Sequence, residues 1–120
     1  MTVGATATLK TVGAGRAEVG GLTLADGATL AFAFTDKAVA PVLAVVGWTG
    51  SVPSTVNVKI SAADGVRPRG GAHILTSGTD FTGATVNSID APEWVKRVGV
   101  DGSGNVFVEA KPKGFMIIVK

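Results

Sequence analysis

The sequence predicts an all-β chain, and three observations carry the prediction. The first is composition: 120 residues hold 17 glycines, no tyrosine and no cysteine, with charged residues at only 17%. A helical bundle would draw on Glu, Lys, Leu and Gln, whereas this chain is loaded with Ala, Thr and Val, which suit pleated surfaces and tight corners. The second is apolar alternation at the period of a strand, clearest at Leu22 and Leu24, at Leu30, Phe32 and Phe34, and at Val56, Val58 and Ile60. The third is turn chemistry. Asp26, Asp64 and Asp101 are each followed directly by Gly. Gly takes positive φ freely, and an Asp carboxylate accepts from nearby backbone N–H groups. Two architectures fit this pattern. The first candidate is a β-solenoid with strands stacked in parallel and small residues at the corners; the runner-up is a β-sandwich.

Taken in order, residues 1–15 are weakly patterned. Val3, Ala5, Ala7 and Leu9 alternate into a modest strand, which Gly13 and Gly15 break. Ala17 to Leu24 leads into a corner at Ala25-Asp26-Gly27-Ala28, and Leu30 to Phe34 returns from it with one apolar face. Pro41 to Val46 does not alternate, as expected of a strand covered on both sides. Residues 47–54 read as a loop, and Val56 to Ile60 as a strand with Asn57 and Lys59 outward. His73 to Thr76 is a short strand, Ser77 to Asp80 a turn, and Ala84 to Val86 the middle of a further strand. Asp90-Ala91-Pro92-Glu93 has the spacing of a helix capping box, but the Val pattern that follows allows at most one helical turn. Val98 and Val100, the corner Asp101 to Asn105, and Val106 and Val108 echo the earlier corner. The count is about eight to eleven strands, with corners roughly every ten residues. A chain of this length is expected to form one domain, residues 1–120, with a real core.

The same residues exclude several functions. Without cysteine there is no disulfide, thiolate metal site or cysteine catalysis. Basic residues outnumber acidic ones by 11 to 9, without a dense basic run, so a nucleic-acid footprint is missing. The longest apolar run, Ala38 to Val46, is too short to span a bilayer as a helix. His73 is the sole histidine, and no carboxylate lies near it in sequence to build a metal site. Asp101 to Asn105 offers hard oxygens but lacks the complete calcium loop. Gly13-Ala14-Gly15 lacks the Lys-Ser/Thr of a phosphate loop. The chain is therefore expected to be non-enzymatic, with no metal or cofactor. Two sites remain as candidates. Trp48, in a Gly/Ser/Thr/Pro loop, suits a sugar-stacking aromatic. Phe115, Met116, Ile117, Ile118 and Val119 form an apolar terminal strand that needs a cover, as an interface with a neighbouring repeat or another copy.

Leu22 to Leu30, Ala40 to Leu43, Val56 to Ile60, Arg67 to Gly71, Trp94 to Val100 and Lys111 to Val119 also form a series. Across roughly residues 19–120 it resembles the C-terminal β-rich region of bacterial surface proteins with autotransporter-type β-strand repeats. The resemblance implies an extracellular or cell-surface structural or adhesive domain that stacks by its strand edges. It implies no catalytic residue. No secretion leader or barrel-type translocator segment is visible, so it further implies a fragment or terminal cap of a larger repeat protein, or a short stand-alone relative. The alternative function is a carbohydrate-binding module that uses Trp48.

Overall fold

The computed structural model describes residues 2–12, 15–35, 40–48 and 52–112. Within them the chain is all-β, without a helix. The first six strands are β1 (Thr2–Val3), β2 (Thr8–Val12), β3 (Gly15–Gly20), β4 (Thr23–Leu24), β5 (Thr29–Phe34) and β6 (Pro41–Val46). They pair in chain order, β1 with β4, β2 with β5 and β3 with β6, and every pairing is parallel. Next come β7 (Thr55–Ala62), β8 (Gly71–Ile74), β9 (Thr76–Ser77) and β10 (Thr85–Asp90), of which β7, β9 and β10 continue the parallel series. β7 adds in parallel to β5, β9 to β6, and β10 to β7. The last two, β11 (Val95–Val100) and β12 (Val106–Ala110), depart from it. They form an antiparallel hairpin, and β12 also pairs antiparallel with β8.

Parallel register brings like side chains into columns. Leu9, Leu30 and Val58 lie side by side across β2, β5 and β7, and Thr11, Phe32 and Ile60 form the next inward column. Thr8, Thr29 and Asn57 line up on the same three strands. Inward columns make the core: Leu30, Phe34, Val56 and Val58 are wholly buried, with Phe32 and Ile60 nearly so. One contiguous buried cluster runs from Val3 to Ala110 and includes Leu22, Leu43, Leu75, Phe81 and Trp94. The alternation read at Leu22 to Phe34 and at Val56 to Ile60 is thus the observed inside–outside pattern. β6 has Pro41, Leu43, Ala44 and Val45 buried, because parallel strands flank it on both sides.

Corners are built from short turns. Ala7 N–H donates to Gly4 O at 3.0 Å, Ala28 N–H to Ala25 O at 3.1 Å, and Ala84 N–H to Phe81 O at 2.9 Å. Gly27 sits at φ 82°, the left-handed conformation its Asp-Gly turn requires.

Three details differ from the sequence expectation, and the Asp90–Glu93 stretch falls within it. Ala5 and Ala7 belong to the Gly4–Ala7 turn, which splits the anticipated first strand into β1 and β2. Gly15 to Gly20 is a full strand, because β6 pairs with it along its whole length. The Asp90–Glu93 stretch makes no helix; Val95 N–H closes a turn onto Pro92 O. Twelve strands form among the described residues, several of them only two residues long. The proposed interface Phe115 to Val119 lies outside the described residues.

Candidate functional site

The feature with the most unfilled bonding capacity is a strand edge. Among the described residues β1, β2 and β3 each pair on one side only, with β4, β5 and β6. The N-terminal stretch 2–20 therefore presents three successive outer edges. Their side chains are largely exposed: Thr8, Lys10 and Val12 on β2, and Arg16, Ala17 and Glu18 on β3. Val12 is 61% exposed, as Val46, Ile74 and Ile89 are to a lesser degree on other strands. An open edge is a row of backbone donors and acceptors that a further strand can satisfy.

Beyond β6 the chain is joined to the β11–β12 hairpin, while β10 pairs on one side only, with β7, among the described residues. Leu75 N–H donates to Val106 O at 2.8 Å, and Leu43 N–H donates to Leu75 O at 2.9 Å, so the hairpin continues the bonding of β6. A buried hydroxyl chain secures the join. Val106 N–H donates to Thr76 Oγ1 at 2.8 Å, and Thr76 Oγ1 and Thr79 Oγ1 share a hydrogen bond of 2.9 Å. The Thr79 hydroxyl in turn faces Gly104 O at 3.0 Å and Asn105 Oδ1 at 2.9 Å. Thr76 is wholly buried and Thr79 nearly so. Sequence reasoning placed both in a strand end and a turn, without this role.

The outer face of the hairpin carries an ion cluster. Arg97 Nε donates to Glu109 Oε1 at 2.7 Å, Lys96 Nζ lies 3.7 Å from Glu109 Oε2, and Arg97 stands over the Phe107 ring at 5.1 Å. The Arg97 hydrogen bond, aided by the nearby Lys96 charge, holds the Glu109 carboxyl below its ordinary value against a smaller opposing effect of desolvation.

Both tryptophans, the candidate Trp48 and Trp94, touch the core. Trp94 is buried and meets Phe34 edge to face, with ring centroids 5.2 Å apart. Trp48 is partly buried and meets Phe81 in the same manner at 5.3 Å and 72°. The neighbouring residues 49–51 lie outside the described residues, so the geometry available is that of the Trp48–Phe81 contact alone.

The polar candidates serve turns. Asp26 Oδ1 accepts from Ser54 N–H at 2.6 Å, Asp80 Oδ1 from Thr82 N–H at 3.3 Å, and Asp101 Oδ1 from Ser103 and Asn105 N–H at 2.9 and 3.0 Å. Asp101 thus commits an oxygen to its own loop. His73 Nε2 lies 2.6 Å from Arg69 O, and an Arg67 guanidinium nitrogen donates to Lys111 O. Among the described residues no three of His, Asp and Glu converge on one point. A shallow groove of about 380 Å³ opens between β10 and β11, lined by Thr82, Val86, Val98, Val100 and Asp101 with small residues between. Its polar lining is the Thr82 hydroxyl and the Asp101 carboxylate, one oxygen of which accepts from its own loop.

Comparison of the chain with protein-family models, with curated proteins and with solved structures finds no match.

Proposed function

We propose that the chain is a non-enzymatic structural module: a short β-solenoid that stacks, through its N-terminal strand edges, onto a neighbouring β-repeat or another copy of itself. The observation that carries this reading is the parallel pairing of β1, β2 and β3 with β4, β5 and β6 in chain order, with the outer edges of the first three left open among the described residues. Strands that pair with their successors in the same order and direction behave as windings of one coil. Each winding buries its inward side chains against the next, so the end windings have an unmet need that the inner ones do not. The antiparallel β11–β12 hairpin acts as a cap beyond β6 and β9, while β10 keeps a parallel edge unpaired among the described residues. A place at the bacterial surface or in a secreted protein, as part of an autotransporter-type repeat array, rests on the sequence resemblance.

Light scattering over a concentration series tests the reading, with Val12→Lys as the comparison. Val12 is exposed on the β2 edge, so a lysine there leaves the fold intact and opposes docking, as edge lysines do. The wild type is expected to form discrete multimers and Val12→Lys to remain monomeric with an unchanged melting curve. A wild type that stays monomeric at every concentration would contradict self-stacking.

A further inference from the structure

The open edge at β3 also carries a charge pattern that specifies a partner. Arg16 and Glu18 lie two apart, on one face of the strand, with Ala17 between them. Their side chains are 60% and 66% exposed, and they meet one another only loosely, at 4.0 Å. Charged residues on an edge strand ordinarily deter pairing. Here they favour one arrangement.

We infer that β3 pairs antiparallel with β3 of a second copy, about a two-fold axis through Ala17, so that Arg16 of each chain faces Glu18 of the partner subunit. This rests on the stacking reading above and names its partner. In that register both charges of each chain gain an opposite charge directly across the strand. Sliding by one step that keeps the same side chains on the same face sets Arg16 against Arg16 of the partner subunit, or Glu18 against Glu18 of the partner subunit. Like charges directly opposite one another destabilise a pair of strands. A slip of half that size moves Arg16 and Glu18 to the wrong face of the pairing. The charges therefore favour the two-fold register centred on Ala17 over its neighbours on either side.

Two further observations favour a second copy over other occupants. Beyond β6 and β9 lies the antiparallel β11–β12 hairpin, bonded to β8 and joined to Thr76 and Leu75. Head-to-tail growth at β3 would set this six-residue strand against β9, the two-residue far edge of its own sheet, whereas edge-to-same-edge contact is self-complementary and closes as a dimer. The β2 edge is the poorer centre, because a two-fold axis through the middle of Thr8–Val12 would oppose Lys10 to Lys10 of the partner subunit. Pairing at β3 would join the two β3-β6-β9 sheets into one continuous six-stranded sheet.

The test is a charge reversal read by sedimentation or light scattering, with circular dichroism and melting as controls. Both side chains are exposed, so the variants are expected to fold as the wild type does. Arg16→Glu alone and Glu18→Arg alone each replace two attractive cross-strand pairs with two repulsive ones. Each is expected to weaken the dimer on the order of tenfold or more. Arg16→Glu/Glu18→Arg together restore the pairs with their signs exchanged, and the dimer should return to near wild-type strength. High salt should blunt the single-variant defects. A dimer or multimer that tolerates both single reversals, or a double variant as weak as the singles, would overturn the β3 register and leave edge stacking in place. A wild type that is monomeric at every concentration would overturn both.

Discussion

Replacing Thr76 by Val tests how the hairpin is held to the rest of the chain. The two side chains are nearly isosteric, so packing is preserved and only the hydroxyl is lost. In the wild type that hydroxyl accepts the Val106 N–H at 2.8 Å and bonds the Thr79 hydroxyl at 2.9 Å. Thr76 is wholly buried, so water cannot replace it. An orphaned buried N–H costs about 1–3 kcal/mol, and the lost hydroxyl–hydroxyl bond adds about 1 kcal/mol. The Thr79 hydroxyl keeps Gly104 O and Asn105 Oδ1 as acceptors, so no second orphan arises. The sum is a destabilisation of about 2–4 kcal/mol. Urea denaturation measures it as a fall in midpoint with unchanged slope. Thr76→Ser keeps the hydroxyl and loses a methyl group, at a cost of about 1 kcal/mol. If Val were as stable as the wild type, or Ser worse than Val, the hydroxyl chain would not be what secures the hairpin.

Three other outcomes follow from the same structure. Gly78 lies at φ 74°, and a Cβ there would approach the Val45 carbonyl oxygen within 2.1 Å; Gly78→Ala should cost about 2 kcal/mol or more by thermal or urea unfolding. Phe34 is wholly buried and packs edge to face on Trp94, so Phe34→Ala should lose about 3–5 kcal/mol and alter Trp fluorescence in the folded state. Glu109 has a lowered carboxyl pKa through Arg97 and Lys96. A carboxyl depressed on folding adds stability that is fully present above its unfolded value and lost as pH falls through its folded one. Melting temperature should therefore drop on acidification from about pH 4.3 downwards, and Glu109→Gln should drop less over that window.

The corner at Leu22 to Phe34 was legible because everything it needs is local: apolar alternation, an Asp-Gly turn and small residues around it. The partner of each turn was not. Asp26-Gly27 and Asp101-Gly102 look alike in sequence, yet they do different things. Asp101 N–H bonds Asn105 O within its own loop, which closes a hairpin. Asp26 instead receives Ser54 N–H, and Gly27 N–H reaches Thr55 O, so this corner is tied to the next pass of the chain. Local turn chemistry specifies that the chain bends, while tertiary bonds decide what it bends toward.

A signal for the parallel pairing was nonetheless present. Ala7-Thr8-Leu9, Ala28-Thr29-Leu30 and Ala84-Thr85-Val86 repeat one short pattern, each directly after a turn and each opening a strand. Thr8 and Leu9 do pair with Thr29 and Leu30. The longer echo between the two Asp-Gly corners obscured this shorter repeat. β3 escaped notice because Gly-Arg-Ala-Glu-Val-Gly has too little apolar content to read as a strand, and its pairing with β6 supplies what its own residues do not. The Thr76–Thr79 chain joins residues that only the hairpin brings together, so no spacing rule could reveal its acceptors. Trp48 was legible as a loop aromatic, but its contact with Phe81 spans the interior.

The most direct test of the parallel winding is a nuclear Overhauser spectrum of the labelled protein, read along the Leu9–Leu30–Val58 column. The account predicts amide-to-Hα and amide-to-amide connections between these neighbours in the parallel pattern, with close Hα–Hα pairs confined to the β8, β11 and β12 strands and to the β3 contact between two copies. Close Hα–Hα pairs linking β2, β5 and β7 would show antiparallel pairing there, as in a sandwich, and would contradict the account.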